Sequence, residues 1–175
     1  MNLNRVTYRA RQFWANLSAA PATEDLEQAR SILTTEQYEL FQQLQPAEQT
    51  HAFQVYQKLI NQGITETQLL QAALLHDVGK ARAPLASWER VAIVLARAAF
   101  PQKVLDWGQG KAAGWRRPFA VAVQHPQWGA EMALSAGTEP LTVELIRRHQ
   151  EPLNGEPQTE SDQLLQILQA ADDAS

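Results

Sequence analysis

The chain has no cysteine in its 175 residues. That excludes disulfides and thiolate metal sites, and it suits a reducing compartment, so a cytoplasmic location is expected. There is no basic excess: 15 Lys and Arg face 19 Asp and Glu, for a formal charge of −4. A protein that coats long nucleic acid carries the opposite sign, so that partner is excluded as the default, although a local basic pocket remains compatible. No apolar run approaches the roughly 20 residues of a membrane span. The nearest stretch, 91–100, is short and contains Arg97. The first residues carry Arg5, Arg9 and Arg11 ahead of Phe13 and Trp14, without the long apolar segment of a signal peptide. Alternating strand patterns of useful length are missing as well, which leaves an all-α fold. Histidine is scarce. The four copies, His51, His76, His125 and His149, are few enough for their spacing to be informative.

The length supports one domain with a real core and is too short for two. Residues 4–17 read as a basic amphipathic helix, with Val6, Phe13, Trp14 and Leu17 as its apolar contacts. It suits a membrane surface or a partner, or a terminal helix folded onto the domain; the last is preferred. Helical patterns follow at 24–33 and 35–44, the second opened by Thr34 with Gln37 three residues on. Residues 1–45 thus form a helical extension packed on a domain spanning 46–175. Pro46 suits the first turn of a helix that runs to Gly63. Thr65 can cap the next helix, over 66–77, with Gly79 as its stop.

Ser87 caps a helix at 86–99, buried through Val91, Ile93, Val94, Leu95, Ala98 and Phe100. Residues 101–114 are the least regular part. With Trp107, Lys111, Trp115, Arg116 and Arg117, this region reads equally as a substrate lid or as a surface connection whose tryptophans pack on the core. Helices flank Gly137, with Met132 and Leu134 on the apolar face of the first and Pro140 opening the second. A polar turn at 152–158 leads to a last helix at 161–172.

The chain is organised around residues 69–80, LLQAALLHDVGK. Leu69, Leu70, Ala72, Ala73, Leu74 and Leu75 cover nearly every side of a helix, so it belongs inside the protein. It ends in His76 and Asp77, and burying such a pair needs a reason. A bound cation is one. His51 lies 25 residues before His76 with Gly63 midway, and His125 lies 24 before His149 with Gly137 at the midpoint. In two antiparallel helical hairpins each pair of imidazoles sits level. Imidazole is the commonest protein ligand for transition metals. A further carboxylate, Asp172, closes the last helical run.

This order of residues resembles the HD domain superfamily of metal-dependent phosphohydrolases. Its signature His…His-Asp…Asp is matched by His51, His76-Asp77 and Asp172, and the two further histidines of two-metal members by His125 and His149. The Ala171-Asp172 pair favours Asp172 over Asp173 as the last ligand. The resemblance implies an HD-domain helical bundle over about 46–175. It also implies a dinuclear centre, in which Asp77 bridges an ion held by His51, His76 and Asp172 and an ion held by His125 and His149. Two such ions activate water and hold a phosphoryl group. Four imidazoles with two carboxylates suit Fe, Mn or Zn, with Mg also admissible.

Lys80 matches a lysine that often follows the His-Asp pair; it reads equally as a contact to substrate phosphate beside Asp77 at the catalytic centre and as a solvated cation at the helix end. Lys111, Arg116 and Arg117 are weaker candidates for the same charge. The Gly-Tyr-Pro motif of the cyclic-dinucleotide subgroup is missing, which argues against cyclic di-GMP as substrate. The layout is similar to that of small two-metal members that cleave nucleotides, including dinucleoside tetraphosphate hydrolases. The expected substrate is therefore a small phosphorylated compound, of nucleotide type. A di-iron oxygenase and a metal-stabilised regulatory module are the alternatives. Few residues follow Asp172, so the far wall of the pocket is open, truncated, replaced by the N-terminal helices, or supplied by a partner subunit in a homodimer.

Overall fold

A computed structural model describes residues 20–153 and 155–175; the basic helix expected at 4–17 lies outside them. The described residues form nine α-helices and no strand. These are α1 (Thr23–Ile32), α2 (Thr35–Gln42), α3 (Pro46–Asn61), α4 (Thr67–Leu75), α5 (Ser87–Ala99), α6 (Pro101–Gly108), α7 (Arg117–Ser135), α8 (Pro140–Arg148) and α9 (Glu160–Asp173). Short 3₁₀ turns occupy Val78–Arg82 and Gly114–Arg116.

Helix α4 lies at the centre, as its composition requires. Every residue from Leu69 to Leu75 is buried, and α1, α2, α3, α8 and α9 pack around it. Each fully buried leucine contributes about 1.5–3 kcal/mol relative to exposure. The N-terminal helices share this core, since Ala29, Leu33, Phe41 and Leu44 belong to the same apolar cluster as Leu59, Leu74 and Leu165. The Thr34 cap forms as the sequence suggests. Its hydroxyl accepts from the Gln37 amide at 3.3 Å, and Gln37 Oε1 accepts from the Thr34 amide at 2.9 Å. Both hairpins form, α3–α4 around Gly63 at φ 82° and α7–α8 around Gly137 at φ 71°. These left-handed conformations suit glycine.

Several local expectations are corrected. Helix α4 ends at Leu75, and the N-cap residue is Glu66, not Thr65. Gly79 is not a left-handed stop; it lies inside the 3₁₀ turn, without positive φ. Glycine is needed there because a Cβ would overlap the His125 carbonyl oxygen and fall 2.6 Å from the Gly129 amide nitrogen. The turn therefore lies backbone to backbone against α7. Helix α5 is entered at Ala86, whose amide donates to Glu89 Oε2 at 2.8 Å, so Ser87 is its first residue rather than its cap. Of the segment 101–114 expected to be irregular, Pro101–Gly108 is helix α6, and only 109–113 lacks helical structure. Of the residues expected to bury α5, Ile93 is buried but Val94, Leu95 and Phe100 are exposed, because α5 lies at the edge and is covered on one face. Leu134 is exposed as well.

Helix α7 continues unbroken across Pro126. A proline there leaves the carbonyl four residues earlier, that of Ala122, without its helical donor. Arg97 Nη2 of α5 supplies one at 3.1 Å. Beneath α5, α6 and α7 lies a second, smaller core of Leu85, Ile93, Val104, Phe119, Val121 and Ala122.

Candidate metal centre

The ligand-type side chains arrive from helix ends and helix faces that the two hairpins bring level. His51 lies on α3, His76 follows the last turn of α4, His125 lies on α7, and His149 follows α8. Asp77 precedes the 3₁₀ turn, and Asp172 lies in the last turn of α9. His76, Asp77, His125 and His149 are almost completely buried, with 1, 2, 1 and 5% exposure, while His51 and Asp172 are half-buried. The six residues form two triads, His51–His76–Asp172 and Asp77–His125–His149, each with ligand atoms within 4.8 Å of one another. His76 Nε2 approaches Asp77 Oδ2 at 3.6 Å and Asp172 Oδ1 at 3.8 Å, so the triads adjoin.

The hydrogen bonds decide what these rings offer. Nδ1 of His76 donates to the Ala73 carbonyl at 2.9 Å, Nδ1 of His125 to Val121 at 2.9 Å, and Nδ1 of His149 to Ile146 at 2.8 Å. A carbonyl only accepts, so each Nδ1 carries the hydrogen, and a ring in its neutral form presents a bare lone pair at Nε2. His76 Nε2 is buried with no hydrogen-bond partner. His125 Nε2 faces His149 Nε2 at 3.2 Å and Asp77 Oδ1 at 3.1 Å, three acceptors with no hydrogen of their own to share, and the Gln150 amide reaches His125 Nε2 only at 3.5 Å. Such an arrangement is costly when empty, at about 1–3 kcal/mol per unsatisfied group. A cation removes that cost, so the donor set fits divalent metal ions. His51 Nε2 meets Asp172 Oδ1 at 2.8 Å, which joins the half-buried members of the first triad.

The charge states agree. Burial pushes the Asp77 carboxyl up, but Lys80, His76 and His125 outweigh it and hold it well below the usual range. For Asp172, burial is likewise overcome, by His76 and His51. Burial lowers the pKa of His125, against the opposing pull of Asp77. His149 falls to about 3, through burial and the neighbouring His125 and His76. Near neutral pH the second triad therefore holds an ionised carboxylate and two unprotonated imidazoles, the forms that bind metal.

The profile of the HD domain family matches residues 49–175, well over half the chain. The chain belongs to the HD domain family. No curated protein and no solved structure matches it. As an HD domain it carries two His/Asp groups able to hold metal ions, and none of its described helices is long and apolar enough to cross a membrane.

Around this HD centre the basic candidates separate. Lys80 pairs with Asp77 Oδ2 and lines a cavity of about 180 Å³ beside His125. Arg117 is held elsewhere, donating to Glu89 at 2.6 Å and to the Pro84 carbonyl at 2.6 Å. Lys111 and Arg116 are exposed and line neither that cavity nor a larger one, of about 690 Å³, that opens on His149 and Asp172. Arg116 lies over the Trp115 ring at 5.1 Å. Trp107 packs on Phe119 at 5.0 Å and on Trp115 at 5.4 Å, so it serves the smaller core instead of covering the site. Arg148 is taken up by Glu144, Glu151 and Asp162, and Arg147 is exposed.

Sequence reasoning missed Glu48, Arg90 and Arg97, which line the cavity beside Lys80. Glu48 Oε1 accepts from Arg90 at 2.8 Å; burial raises its pKa while Arg90 opposes. One signal was available. Glu48 lies three residues before His51 on α3, nearly one helical turn away.

Proposed function

We propose that this HD domain is a metal-dependent phosphohydrolase that cleaves a phosphate ester or anhydride of a small, nucleotide-type substrate. The observation that carries the reading is the convergence of bare Nε2 atoms on Asp77, with His76 Nε2 unpartnered in the interior. His51, His76 and Asp172 are the residues to hold one ion, His125 and His149 the other, with Asp77 between them. Bound divalent ions supply Lewis acidity and bring the pKa of water towards neutrality. Fe, Mn or Zn suits the imidazole-rich set, with Mg as a further candidate.

The chain's own residues do the rest. The backbone carbonyls of Ala73, Val121 and Ile146 fix the ring orientations, so no rotamer search accompanies binding. The burial of Asp77 and His125 keeps bulk water from that side, where charges interact more strongly. Lys80 sits at the edge of the cluster, where its ammonium can meet a phosphate oxygen. Among the described residues before 46, Ala29, Leu33, Phe41 and Leu44 contribute to the same core, which supports reading them as a helical extension of the domain.

The test is phosphate release from nucleoside mono-, di- and polyphosphates, screened anaerobically with Mn, Fe(II), Mg or Zn. Release is expected to need metal and to vanish in the double variant His76→Ala, Asp77→Ala. If the loaded protein cleaves no phosphorylated compound, or if release survives both substitutions, the hydrolase reading fails. Substrate-dependent oxygen uptake by iron-loaded protein then becomes the next measurement.

A further inference from the structure

The two cavities flanking the metal centre share three lining residues, Arg97, Ala122 and Gln150. Arg97 is the only cation among them, and it stands where the larger cavity, with His149 and Asp172, meets the smaller one, with His125 and Lys80. The cations of these walls are not in the same state. Lys80 is paired with Asp77, and Arg90 with Glu48. Arg97 has no carboxylate partner among the described residues; its contacts are the Ala122 carbonyl at 3.1 Å and Gln150 Oε1 at 3.4 Å, both from Nη2. Nε and Nη1 are left to donate elsewhere.

Arg97 is exposed by surface, yet burial is the main cause lowering its pKa, with Asp77 opposing. The two observations agree if the surface it exposes is the wall of a concavity. A guanidinium held through Nη2 by the Ala122 carbonyl and Gln150, facing an open recess and lacking a carboxylate partner, is arranged for a planar, two-point contact with an anion through its free N–H groups. The rest of the larger cavity sets the anion's class. Pro101, Val104, Leu105 and Val123 form an apolar wall that suits the base and sugar of a nucleoside. Glu151 and Asp173 line it too, and disfavour phosphate away from Arg97 and the metal centre.

We propose that Arg97 binds a second phosphate group of the substrate, beside the one at the metal centre, and so selects compounds with two or more linked phosphates over monophosphates. The proposal rests on the phosphohydrolase reading for the role of that contact, but its test need not. Calorimetric titration of the manganese-loaded protein compares inorganic pyrophosphate with inorganic phosphate, for wild type, Arg97→Gln and Arg97→Lys. Arg97→Gln is expected to weaken pyrophosphate binding about tenfold to a hundredfold, the scale of a lost charge-assisted hydrogen bond. Phosphate binding should change little, and Arg97→Lys should recover part of the loss.

Arg97→Gln also removes the donor to the Ala122 carbonyl, so a purely structural effect needs its own control. Adding Pro126→Ala returns a helical N–H to that carbonyl. If Arg97 contacts phosphate, the double variant still binds pyrophosphate weakly; if binding returns to the wild-type value, Arg97 acts only through α7 and the proposal is overturned. Equal weakening of phosphate and pyrophosphate, no weakening of either, or failure of the loaded wild type to bind pyrophosphate also overturns it. Pyrophosphate binding that depends on Arg97, in a protein that hydrolyses no phosphorylated compound, keeps the anion site and removes the hydrolase reading. If ADP and ATP are cleaved with an unchanged KM in Arg97→Gln, the hydrolase reading stands and the Arg97 assignment falls.

Discussion

Replacing Gly79 by alanine separates two effects of opposite sign. Gly79 has an ordinary backbone conformation, so alanine there reduces the freedom of the unfolded chain and on that ground stabilises by about 0.4–1 kcal/mol. The folded state answers differently. The new methyl would overlap the His125 carbonyl oxygen and lie 2.6 Å from the Gly129 nitrogen, both backbone atoms that no rotamer change can move. Restoring ordinary contact requires the 3₁₀ turn and α7 to separate by well over an ångström, whereas overpacking even among side chains costs about 1–3 kcal/mol. The net expectation is a loss of about 2 kcal/mol, read by urea denaturation of metal-stripped protein. Gly129→Ala serves as a comparison. Its methyl meets Gly79 N at 3.1 Å and Ile146 Cγ2 at 3.2 Å, and helix propensity favours alanine by about 1 kcal/mol, so the net change should be near zero. The same separation draws His125 away from Asp77, so Gly79→Ala should also retain less metal per chain. A Gly79→Ala protein as stable as wild type, or more so, would refute the claim that this backbone approach holds the two halves of the centre together.

Two further outcomes are expected. Asp77→Ala should lower metal content per chain more than Lys80→Ala, because Asp77 lies against ligand atoms of both triads, whereas among the described residues the Lys80 ammonium is ion-paired with Asp77 alone; full loading of the Asp77 variant, by elemental analysis, would remove its bridging role. Arg117→Ala should cost about 2–3 kcal/mol by leaving the buried Glu89 unpaired, with metal content intact and much of the loss restored by adding Glu89→Gln; a change in metal content or in substrate KM without loss of stability would return Arg117 to the site.

The parts of this molecule that sequence disclosed are those governed by period and offset. The apolar run at 69–75 reads as a buried helix because no side of it is polar. The near-equal offsets of the histidines about Gly63 and Gly137 read as hairpins because helical rise is constant along both arms. What stayed hidden depends on neighbours distant in sequence. Pro126 passes through the middle of α7 because Arg97, on another helix, takes the freed carbonyl. Gly79 looks like a helix stop until α7 lies against it. Arg117 looks like a free cation until Glu89 is placed beside it. Val94, Leu95 and Phe100 look like core because apolar periodicity does not say whether a second layer covers the helix.

The three imidazoles that donate from Nδ1 to carbonyls of their own helices use neutral acceptors, not carboxylates. A carboxylate behind a ring makes it a stronger base and drains positive charge from whatever the ring ligates. Backbone carbonyls do so far less. If two divalent ions bind as proposed, their four positive charges would meet only the two negative charges of Asp77 and Asp172. A centre filled in that way would keep a surplus of two positive charges before Lys80 or any bound hydroxide is counted. A cluster left electron-poor in this way would be an anion receptor in its own right, whatever reaction follows.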